Sequence, residues 1–130
     1  MTAFAATARI AFSDPTASVG SEINVKMKIT SSDNLSTADI MLAYDPGSLE
    51  FIEGTNAEGG NGAVRVHGDG GGANTTTLAY DLKFKASAAG TSKITVTSQE
   101  IYDASSQIVT VDKQGESQVT VSALIKRFQG

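Results

Sequence analysis

Apolar and polar residues alternate along much of this chain. Ile23, Val25, Met27 and Ile29 are apolar, while Asn24, Lys26, Lys28 and Thr30 between them are polar. A period of two places the first set on one side of an extended strand and the second on the other, so one face is buried and one is wet. Leu82, Phe84 and Ala86 alternate with Lys83 and Lys85 in the same way, Ile94 and Val96 with Thr95 and Thr97, and Val119 and Val121 close the series. Ala8, Ile10 and Phe12 predict a first strand. It stops at Asp14-Pro15, because proline has no N–H for a ladder and Asp-Pro favours a turn. Turn chemistry at Val19-Gly20-Ser21, Ser32-Asp33-Asn34, Asp45-Pro46-Gly47 and Ala89-Gly90-Thr91 predicts breaks between the later runs. Many short strands separated by turns predict an all-β antiparallel sandwich or barrel rather than an α/β sheet. Two sheets packed face to face would bury the apolar side of each strand. Only Ser122 to Phe128 is compatible with a helix, and its length suits a frayed tail equally well.

One segment departs from this pattern. From Glu58 to Asn74 glycine dominates, and Ala63-Val64-Arg65-Val66-His67 is the one short strand predicted there. The expectation is a mobile surface loop around it. A phosphate cradle would need a following helix N-terminus or the lysine and hydroxyl of a P-loop, and neither follows.

Composition narrows the class. The chain has 130 residues, enough for one core and too few for two. The expected organisation is a single domain over 1–130, with its core at about 7–122 and a C-terminal tail at 123–130. The apolar share of 40% argues against disorder. Cysteine is absent, so packing rather than disulfides or thiolate metal sites must hold the fold. A formal net charge of -4, with Lys126-Arg127 as the largest basic group, excludes a surface built to neutralise nucleic-acid phosphates. No apolar run approaches the length of a membrane span, so no membrane insertion is expected. The opening Met1-Thr2-Ala3-Phe4-Ala5 lacks the charged region and apolar core of an export signal, and the chain is expected to be one domain of a longer exported protein.

Candidate chemistry is sparse. His67 is the only histidine, two residues from Asp69, but a hydrolytic triad also needs a placed serine and an oxyanion hole. Carboxylates are numerous and scattered, without the facing pair of a glycosidase or a spaced EF-type calcium loop. No enzyme activity and no resident cofactor are expected; structural calcium is the one metal the loop oxygens could serve. A sugar platform would have to come from Tyr80 and Tyr102, since tryptophan is absent and Phe12, Phe51 and Phe84 sit in apolar runs. Lys26, Lys28, Lys83 and Lys85 all fall on wet sides, which argues against a buried isopeptide crosslink.

The stretch Asp39-Ile40-Met41-Leu42-Ala43-Tyr44-Asp45-Pro46-Gly47-Ser48-Leu49-Glu50-Phe51 resembles the cohesin family, the receptor modules of cellulosome scaffolds and related bacterial surface proteins. The frame extends to Val19-Gly20-Ser21-Glu22, to Leu78-Ala79-Tyr80-Asp81-Leu82-Lys83-Phe84-Lys85-Ala86 and to Ala89-Gly90-Thr91-Ser92-Lys93-Ile94-Thr95-Val96, covering most of residues 7 to 122. The resemblance implies a jelly-roll sandwich of about nine strands. It also implies a secreted or cell-surface location, a monomer, and a dockerin-bearing partner, the dockerin being a small helical module that carries its own calcium. An aspartate ahead of the Tyr-Asp-Pro turn commonly hydrogen-bonds the dockerin in this family, and Asp39 stands there. With Ile40, Leu42 and Tyr44 facing the core, Thr37, Asp39, Met41 and Ala43 fall on the outer face. Thr37, Asp39, Met41, Arg65 and His67 are the expected partner-binding residues. Many cohesins have asparagine where Thr37 stands. At 55–74 the family builds two middle strands of its binding face where this chain offers glycine and one short strand, so a reduced face is expected. The alternatives are a carbohydrate-binding module recognising polysaccharide and a passive spacer in a multidomain surface protein.

Overall fold

A computed structural model describes residues 6–70 and 75–123. Ten strands follow one another: β1 (Thr7–Phe12), β2 (Thr16–Ser18), β3 (Glu22–Ala43), β4 (Leu49–Gly54), β5 (Ala57–Gly60), β6 (Ala63–Gly68), β7 (Thr75–Ala86), β8 (Gly90–Asp103), β9 (Thr110–Gln114) and β10 (Ser117–Ser122). The alternating runs became strands with the predicted inward sides. Ile23, Val25, Met27 and Ile29 on β3, and Leu82, Phe84 and Ala86 on β7, are all buried. The short β2, β5 and β9 have no alternation to announce them and are largely exposed. They bring the count to ten where about nine are expected. The helix-compatible stretch falls largely outside the described residues, and β10 ends at Ser122.

The strand β3 organises the sandwich. Its first half, from Glu22 to Thr30, pairs with β7 on one side, while Met27 to Ser31 pair with β1 on the other. Its second half, from Leu35 to Ala43, pairs with β8 and, from Ala38 onward, with β6. One layer therefore runs β9-β1-β3-β7-β4, and the other β2-β10-β8-β3-β6-β5. Neighbours are antiparallel except at the two outer edges, where β9 lies parallel to β1 and β2 parallel to β10. This is a jelly-roll sandwich.

The turn predicted at Ser32-Asp33-Asn34 does not form. β3 runs through it, with a register shift between Thr30 and Leu35. Ser32, Asp33 and Asn34 are exposed, the Ser31 Oγ accepts the Asp33 N–H at 3.2 Å, and the Asn34 carbonyl accepts the Ala104 N–H at 2.9 Å. Small polar residues that would close a turn make a bulge here, and a bulge bends a strand without ending it. The bend carries β3 from one layer into the other.

The turns predicted at Val19-Gly20-Ser21 and Asp45-Pro46-Gly47 form, and near Ala89-Gly90-Thr91 the chain bends at Ala88-Ala89 before β8 begins at Gly90. At Asp45-Pro46-Gly47 the Asp45 carboxylate accepts the Gly47 N–H at 2.9 Å and the Ser48 hydroxyl at 3.1 Å, and the Asp45 carbonyl accepts the Ser48 and Leu49 N–H groups, both at 3.0 Å. Tyr44 just before it packs edge-on against Phe84 at 5.2 Å. The Tyr-Asp-Pro stretch is thus a structural corner: its ring belongs to the core and its aspartate closes the path from β3 into β4.

Between the layers, Ile10, Met27, Ile29, Leu35, Ile40, Leu42, Leu49, Val64, Val66, Leu78, Tyr80, Phe84 and Ile94 form one continuous apolar core. A buried hydroxyl interrupts it. The Ser92 Oγ has no hydrogen-bond partner, and such a group forfeits its water contacts without replacement. Ser92→Ala is therefore expected to stabilise the fold by up to about 1 kcal/mol, as a rise in the urea midpoint at unchanged slope. A fall in the midpoint would show the hydroxyl to be satisfied.

Candidate partner-binding face

Cross-strand register assembles the outer face of the layer β5-β6-β3-β8. Thr37 lies opposite Tyr102; Asp39 lies between His67 on β6 and Glu100 on β8; Met41 lies between Arg65 and Ser98; Ala43 lies between Ala63 and Thr95. Beyond β6, Glu58 on β5 lies opposite Arg65, and Gly60 opposite Ala63. Residues that pair across strands share a face, so these side chains form one patch. Ile40, Leu42, Val64 and Val66, one step away along each strand, are buried beneath it. All five residues expected from the sequence lie on this patch.

The two middle strands of the face are both present, and the expectation of a lone strand in a mobile loop is corrected here. β5 forms from Ala57-Glu58-Gly59-Gly60, pairs with β6 along its length, and joins β4 through Gly54 and Ala57. The strand is built almost without side chains because its backbone lies close against β6. A Cβ on Gly59 would collide with the Ala63 carbonyl oxygen and come within 2.7 Å of the Val64 Cα. Glycine here permits close approach rather than mobility. The far end of β6 is pinned by the Tyr80 hydroxyl, which donates to the Gly68 carbonyl at 2.6 Å.

Asp39 does not stand alone on its strand. Arg65 closes on it with two parallel hydrogen bonds, Nε to one carboxylate oxygen at 3.0 Å and Nη2 to the other at 2.8 Å. The side chains stay partly open to solvent, at 46% for Arg65 and 27% for Asp39. These hydrogen bonds from Arg65 hold the Asp39 carboxyl below the usual carboxylate range, against the opposing effect of burial. The ion pair therefore persists above that lowered value and is lost as the pH falls through it, when Asp39 takes a proton and releases Arg65.

Glu100 and Glu58 belong to the patch without standing out in the sequence, which marks Tyr102 only as half of a sugar platform. A signal for β8 did exist. Ile94 and Val96 point inward at even positions, whereas the next inward residue is Ile101. That change of parity marks the bulge, which the register places opposite the Met41 to Leu42 step. The Thr97 hydroxyl stitches it by donating to the Met41 carbonyl at 3.3 Å. The negative charge of Glu100 first, then burial, raises the Tyr102 hydroxyl above its ordinary range.

The two-tyrosine sugar platform is not formed. Tyr80 is only 1% exposed, and burial, reinforced by Asp69, raises its hydroxyl far above the ordinary range. Leu78, Tyr80 and Leu82 share one inward face of β7, so the alternation that buries Leu82 and Phe84 takes Tyr80 in with them. His67 is exposed beside Asp39 on the adjacent strand and close to Asn56, whose carbonyl accepts the His67 N–H at 2.8 Å. Among the described residues no group of three or more His, Cys, Asp or Glu side chains is placed to hold a metal ion.

The sandwich has the cohesin fold. A non-cellulosomal cohesin from the hyperthermophilic archaeon Archaeoglobus fulgidus superposes with a TM-score of 0.71 at 21% identity, over 92% of each chain. The sixth cohesin of Acetivibrio cellulolyticus scaffoldin B, solved with a mutant Cel5 dockerin, gives 0.74 at 19% identity, over 88% of this chain and 99% of that one. The cohesin of the OlpC–Doc435 complex from Clostridium thermocellum gives 0.72 at 13% identity, over 95% and 97%. No protein-family model matches the sequence, and neither does any curated protein. At such identities the likeness lies in the fold.

Proposed function

We propose that this domain is a non-catalytic protein–protein interaction module, a single cohesin-type unit that binds a dockerin-type partner in extracellular assembly or cell-surface attachment. The observation that carries the reading is the complete face β5-β6-β3-β8, which presents Thr37, Asp39, Met41, Arg65 and His67 together despite the glycine-rich sequence. The cohesin fold supports it, as do the solved neighbours in complex with dockerins. Met41, Ala43 and Ala63 form an apolar area at one end of the patch, beside the charges of Asp39, Arg65, Glu58 and Glu100. Protein interfaces combine apolar area with polar and charged groups. Calcium is expected mainly in the partner.

The test is capture of secreted dockerin-bearing proteins on the immobilised domain, followed by elution with a calcium chelator. Metal loss unfolds a calcium-dependent module and should release it. Titration calorimetry with the captured module should then show that Asp39→Ala weakens binding by about 1 to 3 kcal/mol with little loss of folding stability. Unchanged affinity removes Asp39 from the interface, and an empty eluate from a secretome rich in dockerins rejects the reading.

A further inference from the structure

The charges on this face are not balanced, and the imbalance points to the partner's chemistry. Asp39 and Glu100 are direct cross-strand partners on β3 and β8. Like charges placed opposite one another oppose pairing. Arg65 answers only one of them: its Nε and Nη2 both go to Asp39, and the other ion pair of this layer among the described residues, Lys93 with Glu116 at 3.1 Å, lies at the far end of β8, beside β10. Glu100 is left with the Tyr102 hydroxyl, a long contact at 3.4 Å, and no ion pair among the described residues. On the opposite layer Lys26 meets Asp81 and Lys83 meets both Glu22 and Glu53, while the exposed Arg9, Lys28 and Lys85 form no ion pair among the described residues. The uncompensated charge there is positive, whereas the end of β8 that carries Glu100 is left negative.

Resting on the dockerin-binding reading, we infer that the partner presents a lysine or arginine to the β8 margin, over Glu100 and beside Tyr102, and leaves the Arg65–Asp39 pair intact. A cation placed there removes the repulsion between the two carboxylates and lies within reach of the Tyr102 ring, which also attracts positive charge. Arg65 acts as a specificity residue. By occupying both oxygens of Asp39 it offers outward N–H groups at the centre of the face, where an unpaired aspartate would offer acceptors. Glu100 lies one strand over and two residues along from Met41, a displacement of about 8 Å. The basic residue of a docked helix therefore stands one to two turns from the residue that covers Met41.

The probe is the calcium-loaded dockerin module captured by the wild-type domain, titrated at about 50 mM and about 300 mM salt. Glu100→Gln should weaken binding about fivefold or more at the lower salt and less at the higher. The melting temperature of the variant should stay level or rise, since a like-charge contact is removed. That combination separates loss of a partner contact from loss of structure. Glu100→Lys should weaken binding further, and glutamate in place of the dockerin's facing basic residue should restore it. An affinity loss below about threefold for Glu100→Gln overturns this inference alone. If the wild-type domain binds no dockerin, both readings fall.

Discussion

Replacing Phe84 by alanine should cost the fold about 3 to 5 kcal/mol, the range for emptying a large aromatic site in a closed core. Phe84 is fully buried, lies opposite Ile23 on β3 and Phe51 on β4, and meets Tyr44 and Phe51 edge-on at 5.2 and 5.4 Å. It joins three strands of one layer to the Tyr44 corner where β3 turns into β4. Alanine leaves a cavity among residues tied by ladder hydrogen bonds on both sides, so the site cannot collapse. Against a typical total of about 5 to 15 kcal/mol, such a loss removes a large part of the stability. Urea unfolding measures it; a loss under about 1.5 kcal/mol would mean that the surrounding rings close the gap.

Gly59→Val should do comparable damage by a different route, about 2 to 4 kcal/mol concentrated in one edge of the sheet. The added Cβ meets the Ala63 carbonyl and the Val64 backbone, and backbone atoms cannot rotate aside as a side chain can. The expected result is separation of β5 from β6. Hydrogen exchange should then accelerate at the amide of His67, whose bond to the Asn56 carbonyl depends on that edge, while β1 and the first half of β3 keep their protection. Glu58 would leave the patch with β5, so dockerin binding should weaken too. Uniform exchange across the sheet, or native-like protection at His67, would show that β5 does not rely on the bare backbone at Gly59.

These two residues fail for reasons of different legibility. Phe84 stands in the run Leu82-Lys83-Phe84-Lys85-Ala86, where alternation alone marks it as inward facing. Gly59 stands in a run of small and polar residues whose composition predicts mobility, and the structure makes it a strand. The reason is physical. Periodicity records which side chains leave water, and glycine has no side chain to record. What holds β5 is backbone pairing with β6, a contact that the spacing of apolar residues does not encode. The Ser32-Asp33-Asn34 segment misleads in a related way. Its residues suit a turn locally, but the ladders on either side keep the strand extended through them.

The candidate site divides along the same line. Ile40, Leu42 and Tyr44 turn inward by simple alternation, which places Asp39 and Met41 outward from the sequence alone, and Val64 and Val66 do the same for Arg65 and His67. Alternation is a local rule of the strand, and so these assignments needed no tertiary information. The tertiary structure decided which strands lie side by side and in what register. It set Arg65 within hydrogen-bonding distance of an aspartate 26 positions away in the chain, opposed Glu100 to Asp39 after a bulge had shifted the phase of β8, and brought the Tyr80 hydroxyl onto the Gly68 carbonyl at the end of β6. Register depends on long-range pairing and on where single extra residues are inserted, and one such residue exchanges the inward and outward sets beyond it. The chain determines by itself that each strand has a wet face; only the assembled sandwich determines which wet faces combine into a binding surface and which of their charges are left unanswered.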